Sequence, residues 1–269
     1  MPLDHSLQVE LIQVAHRLAD AARPQTLKHF RTASLVADNK DEHAFDPVTV
    51  ADRAAERAMR ELIGELRPND SILGEEYGHH AGNSGFTWVL DPIDGTRGYI
   101  SGTPTWGVLI SVADETGPLF GLIDQPYIGE RFAGGFGVAE VSGPMGKMPL
   151  ATKAAQPLSQ VTVLSTFPEV GTTAEGAAFH AVAKKAKLTR YGMDCYGYAL
   201  LAAGQVDLVI EAGLNAYDIQ APIAVIHAAG GIVTDWNGQP AHGGGRVLAA
   251  ANPAIHAEAL ALLQAARHD

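Results

Sequence analysis

Acidic residues gather at four places in this chain where an apolar stretch ends or a helix begins. "LGEEYG" carries Glu75 and Glu76, "LDPIDGT" carries Asp91 and Asp94, "NAYDIQAP" carries Asp218, and "DPVTVADRAAE" carries Asp46 and Asp52. Carboxylates that converge from separate elements make a donor set for a hard cation. Mg²⁺ prefers oxygen ligands in an octahedron and keeps several of its waters, so a few acids suffice. Within "DPIDGT", Pro92 holds Asp91 extended and turns the chain out of the strand. Asp91 and Asp94 can then face one small volume, with the Ile93 carbonyl between them. Gly95 lets backbone approach closely. Thr96 stands where a helix can begin, and free N–H groups at a helix start bind phosphate.

Each feature also has a purely structural reading. Asp-Gly is a common turn pair. "TVAD" (49–52) matches a capping box, with Thr49 as cap and Asp52 reaching back. Asp218 can sit near a helix dipole, Asp194 can cap a helix over 195–203, and Glu75 and Glu76 can be solvated loop acids.

The order of the motifs adds what none carries alone. "LGEE", "DPIDGT" and "YDIQAPIAVIHAAGGIVTDWNG" resemble, over almost the whole chain, the inositol monophosphatase-like superfamily of Mg²⁺-dependent phosphatases. The superfamily more often has Trp before the last acid, and here the residue is Tyr217. The resemblance implies a layered α-β-α-β-α sandwich with the site between two halves. It implies metal ligation by Glu75, Asp91, the Ile93 carbonyl, Asp94 and Asp218, with two or three Mg²⁺ per site. It implies that Asp52 and Thr96 help activate the attacking water, with Glu75 also in the catalytic set, and that Gly95 and Thr96 meet the phosphate. The loop "KDEHAFD" (40–46) is expected to be solvated. The resemblance gives it a part in closing the site, which brings in Lys40 and Asp46, and Glu76 is a further candidate beside Glu75.

The alcohol of the ester must be chosen by the second half. "YGMDCYGYALLAAGQVDLVIEAGLNAYDI" and "TRGYISGTPTWGVLI" resemble the histidinol-phosphatase branch more than the inositol branch. Histidinol phosphate carries an ammonium and an imidazole, so its pocket wants carboxylate and amide oxygens. Asp194, Glu211 and Asn215 can supply them. Glu211 also fits a site for ring hydroxyls, so an inositol phosphatase stays an alternative. A sugar- or nucleotide-bisphosphate phosphatase would need a basic cluster, for which Arg97 and Arg190 are the candidates. An inactive relative acting as an interaction protein would lack one of the acids, and here all are present.

The elements that must carry these residues are legible in outline. Leu7, Leu11, Val14 and Leu18 recur at helical spacing in a helix over 6–30, disturbed near Pro24. A second helix spans 49–66 and stops at Pro68. "SILGEE" (71–76) reads as a strand and 77–86 as an exposed loop. From 87 to 140 the pattern is an antiparallel meander. A boundary near 141–158 divides the chain into an N-terminal α+β part, 1–148, carrying most metal ligands, and a C-terminal α/β part, 149–269. The latter alternates strands (161–166, 188–192, 206–212, 231–236) with helices (174–187, 195–203, 218–229, 253–266).

Bulk properties exclude other classes. The 269 residues are 46% hydrophobic and 18% charged, an ordinary globular composition. A formal charge of −11 repels nucleic acid and anionic membrane. The single cysteine, Cys195, allows no intramolecular disulfide and sits in a "CYGY" setting that suggests packing, not nucleophilic catalysis. The histidines, including His79 and His80, lack zinc-pair spacing, and "HGGGR" (242–246) reads as a turn, not a phosphate loop. No signal segment or membrane span is apparent, so the expectation is a cytoplasmic enzyme, by the resemblance a homodimer, acting on a small phosphate ester.

Overall fold

The structure, a computed structural model, describes residues 3–33, 35–39 and 47–266. Its helices are α1 (His5–Leu27), α2 (Val50–Leu66), α3 (Thr96–Ser101), α4 (Thr173–Ala183), α5 (Asp194–Ala202), α6 (Ala216–Ala228) and α7 (Pro253–Ala265). The first strands are β1 (Ala37–Asn39), β2 (Pro47–Thr49), β3 (Ser71–Gly74), β4 (Gly78–His80) and β5 (Thr87–Asp94). Next come β6 (Gly107–Asp114), β7 (Gly117–Gln125), β8 (Glu130–Gly135), β9 (Val138–Gly143) and β10 (Gly146–Pro149). The last are β11 (Thr162–Ser165), β12 (Leu188–Tyr191), β13 (Leu208–Leu214), β14 (Ile232–Asp235) and β15 (Gly245–Ala250).

An eight-stranded sheet runs β10-β9-β8-β7-β6-β5-β3-β4. The antiparallel meander expected over 87–140 is found as β5 to β9 and is extended by β10, which falls in the expected boundary region; only β3 pairs in parallel, with β5. A five-stranded sheet runs β12-β11-β13-β15-β14, with β11 parallel to both its neighbours and β15 antiparallel to β13 and β14.

Strand periodicity sorts the side chains into layers. Val108, Ile110 and Val112 of β6 pack with Leu11, Leu18, Ala55 and Met59 of α1 and α2. Leu109 of the same strand faces the other way and joins Ile123, Cys195, Tyr198, Ile219 and Val225 of β7, α5 and α6. In the small sheet, Val209, Val247 and Ala249 belong to that same central cluster. Leu208, Ile210, Leu248 and Ala250 turn outward to Phe179, Ile255 and Leu263 of α4 and α7. The layers are therefore α1/α2, large sheet, α5/α6, small sheet, α4/α7. Helix α6 is apolar nearly all round because it lies between two sheets, and Ile219 and Ala221 to Ile226 are all buried.

Some sequence expectations need correction. Helix α1 continues through Pro24 and ends at Leu27. The segment 77–86 is exposed but contains β4, which pairs with β3. The "SILGEE" strand stops at Gly74, and α4 ends at Ala183. Strand β15 was not anticipated: only its first two residues fall in "HGGGR", and its buried part, "VLAA", is too short and small-sided to show a period. Among the described residues no helix is long and apolar enough to cross a membrane. Lys40 and Asp46 lie outside the described residues.

Candidate active site

The corner at the end of β5 is built by a break in strand phase. Residues three apart on a regular strand point to opposite faces. Asp91 pairs with Leu109 and Asp94 with Gly107, so one extra residue is inserted between them. This bulge re-phases the strand and brings both carboxylates to one side. The Asp91 Oδ1 accepts the Ile93 N–H at 3.0 Å, which fixes the turn. The Ile93 side chain is buried with Phe30, Ala51, Tyr99 and Trp106. Its carbonyl accepts the Thr96 hydroxyl at 3.0 Å. Gly95, at φ +84°, starts α3. A Cβ there would lie 2.7 Å from Asp194 Cγ, so both backbone conformation and space require glycine.

Asp218 arrives from far along the sequence on the first turn of α6. Oxygens of Asp91, Asp94 and Asp218 all lie within 4.8 Å of one another. Asp94 Oδ2 accepts the Cys195 N–H at 2.6 Å, which joins β5 to α5. Burial, then the charges of Glu75, Asp94 and Asp218, push the Asp91 carboxyl well above the usual carboxylate range. Asp94 is pushed the same way by burial, Asp194 and Asp218. One buried and two half-buried carboxylates this close repel one another strongly unless a cation sits among them. The donors are all oxygens, which suits a hard divalent ion such as Mg²⁺.

Glu75 follows β3, and its N–H donates to the Leu90 carbonyl at 3.2 Å. The turn after it is held by Glu56 of α2, fully buried, whose carboxylate accepts the N–H groups of Glu76 and Tyr77 at 2.7 and 3.2 Å. Arg60 Nε donates to Glu56 at 2.7 Å. The structure thus gives Glu56 a positioning task that sequence reading missed; the Glu56–Arg60 spacing of four was the available signal.

Asp52 and Asp218 occupy equivalent local positions. Each is the third residue of a helix, and each accepts the backbone N–H of the preceding cap, Thr49 at 2.9 Å and Asn215 at 2.6 Å. For Asp52 the capping and chemical readings are therefore compatible, because Oδ2 serves the cap and Oδ1 is turned to Thr96. Asp52 Oδ1 lies 3.4 Å from Thr96 Oγ1.

A cleft of about 350 Å³ is lined by Glu75, Asp94, Gly95, Thr96, Arg97, Asp194, Glu211, Asn215 and Asp218, together with Thr166, Phe167, Cys195, Tyr198 and Tyr217. Glu211 Oε1 accepts the N–H and hydroxyl of Thr166 at 3.1 and 2.7 Å. Burial nevertheless raises its carboxyl to about 7, since the Thr166 bonds offset only part of that cost. Asp194 adopts φ +47° and accepts the Thr105 hydroxyl at 3.0 Å. Its side chain does not cap α5, where no side-chain cap bond forms. Burial raises the Asp194 carboxyl, partly offset by Thr105 and Arg97. The Tyr198 hydroxyl is buried without a hydrogen-bond partner among the described residues. Cys195 is fully buried and its thiol is pushed up, first by burial, as a packing residue requires. Two candidates fall elsewhere. Arg190 is exposed on β12, away from the cleft, and Glu76 does not line it. Phe167, Thr166, Thr105 and Tyr198 were not singled out from sequence, since single neutral residues carry no spacing signal.

Residues 7–268 match the inositol monophosphatase family. The chain belongs to that family. Among family relatives, it is 41% identical over 231 residues to the Bifunctional phosphatase IMPL2, chloroplastic, of Arabidopsis thaliana, covering 84% of this chain and 64% of that longer protein. It is 34% identical over 263 residues to the Histidinol-phosphatase of Streptomyces coelicolor, covering 94% and 96% of the two chains. The solved structure of an inositol monophosphatase from Zymomonas mobilis superposes with a TM-score of 0.82 at 36% identity, covering 94% and 97%. The alternating helices and mixed sheets are thus the inositol monophosphatase-like fold. As a family member the chain is a metal-dependent phosphomonoesterase, and the Asp91, Asp94 and Asp218 cluster accords with that chemistry.

Proposed function

We propose that this phosphatase hydrolyses L-histidinol phosphate to L-histidinol and phosphate. The observation that carries the reading is Glu211. It is a buried carboxylate beside the metal acids, and the hydrogen bonds it accepts come from neutral donors of Thr166. Such an acid calls for a cationic partner, and the ammonium of histidinol phosphate is one. Asp194 and Asn215 line the same cleft and add acceptors. The likeness to histidinol-phosphatases supports the choice.

Asp91, Asp94 and Asp218, with Glu75 and the Ile93 carbonyl, would hold Mg²⁺. When bound, the metal neutralises phosphate oxygens and makes water more acidic. Thr96 Oγ1 would take a proton from the attacking water while passing its own to Asp52 Oδ1. Asp52 is set for this because its other oxygen is anchored by Thr49 at 2.6 and 2.9 Å. Gly95 and Thr96 would meet the phosphate. Attack in line then needs positioning and charge, not a protein nucleophile.

The test is phosphate release with Mg²⁺ from L-histidinol phosphate and inositol 1-phosphate at matched concentrations. A preference for the former of about a hundredfold, roughly 2.7 kcal/mol in the transition state, is expected. A preference for inositol 1-phosphate would overturn the substrate and leave the metal chemistry standing.

A further inference from the structure

Phe167 is out of place for a surface residue. The residue is 43% exposed and lines the cleft together with Asp94, Glu211 and Asp218. It follows Thr166, whose N–H and hydroxyl hold Glu211, so its position is tied to that carboxylate. From the other half of the molecule, Arg97 of α3 places its guanidinium carbon 4.8 Å from the Phe167 ring centroid. Arg97 also acts on Asp194, whose carboxyl it lowers. Two side chains, one from each half, thus meet over the opening.

An aromatic face attracts a flat cation or a second ring, and at an exposed site either contact is weak enough to exchange. Glu211 accepts both its hydrogen bonds from Thr166, the residue before Phe167, so a group held by Glu211 lies in the neighbourhood of Phe167. A ring joined to that group through two carbons, as in histidinol phosphate, can therefore reach toward the Phe167 face across the cleft that both residues line. We infer that Phe167 is a specificity residue, the platform on which the flat unsaturated ring of the substrate alcohol stacks in place of the Arg97 guanidinium. Asp194 gives the displaced Arg97 a second partner. This inference rests on the reading of the substrate as an amine-bearing phosphate ester, and it adds the surface that takes the ring.

The test compares Phe167→Ala and Phe167→Tyr with the wild type, in Mg²⁺, on L-histidinol phosphate and on 2-aminopropyl phosphate, which keeps the amine and lacks the ring. Phe167→Ala is expected to raise KM for histidinol phosphate about tenfold, with kcat within about twofold. Its KM for 2-aminopropyl phosphate should not move, and Phe167→Tyr should keep the wild-type ratio. An equal KM change on both substrates, or none on either, would overturn the inference while leaving the amine reading intact. A wild type that hydrolysed inositol 1-phosphate but neither amine ester would overturn the amine reading and this inference with it.

Discussion

Asp52 divides its carboxylate between two neighbours: Oδ2 accepts the N–H and hydroxyl of Thr49, and Oδ1 faces the Thr96 hydroxyl at 3.4 Å. One side chain thus closes the start of α2 and reaches the corner after β5. The two roles separate by substitution. Thr49→Ala removes a cap and should lower stability by about 1 kcal/mol while kcat stays within a few-fold. Asp52→Asn keeps the shape and removes the proton acceptor, so kcat should fall at least about a hundredfold. Thermal melts and steady-state kinetics on the two variants check this. Equal kinetic losses would mean that Asp52 acts only by holding the helix.

The clustered acids tie metal binding to stability. In metal-free protein, Asp91 is buried and Asp94 half-buried among like charges. Asp94→Asn relieves that repulsion, so the metal-free variant should melt no lower than the metal-free wild type. Mg²⁺ should raise the wild-type Tm, by an amount equivalent to about 2.7 kcal/mol at a hundredfold excess over Kd. The variant should lose most of that rise and its turnover. A full Mg²⁺-induced shift in Asp94→Asn would remove Asp94 from the metal site.

Gly74 is fixed by Glu56. A Cβ at position 74 would lie 2.0 Å from Glu56 Oε1 and 2.9 Å from Arg60. Gly74→Ala must displace the buried carboxylate that holds the turn after Glu75. A cost of about 1–3 kcal/mol is expected, with a weaker apparent affinity for Mg²⁺, read by melting and by metal titration of activity. Glu56→Gln should reproduce the affinity change without the clash.

How much of this was readable beforehand follows from the physics of each residue. The acids were visible because charge is rare at strand ends, and the meander and the two long helices because period and Gly/Pro punctuation are local signals. The bulge at Pro92–Ile93 was legible only as a turn, since its effect on side-chain phase needs the β6 partner register. For Asp194 the sequence left a cap open beside a substrate acceptor, because it gives the distance from α5 but not from Thr105, 89 residues away. Phe167 and Tyr198 carry no pattern at all. They become notable only when the fold sets them in a cleft of carboxylates.

Glu211 gives a pH signature with a definite sign. Burial pushes its folded-state carboxyl up to about 7, above the ordinary glutamate value of 4.5, because it penalises the charge. Between those values the folded state holds the proton that the unfolded chain has lost. The contribution to stability is thus present below about 4.5 and is lost as pH rises through about 7. Metal-free Glu211→Gln keeps a neutral side chain throughout and should lose this part of the decline, so its Tm should overtake that of the wild type as pH passes from about 5 to about 8. Ionised Glu211 is also the form that receives an ammonium. KM for L-histidinol phosphate should therefore fall more steeply across neutral pH in the wild type than in Glu211→Gln, where only the substrate's own imidazole and phosphate titrate. Parallel KM profiles in the two proteins would detach Glu211 from the substrate amine.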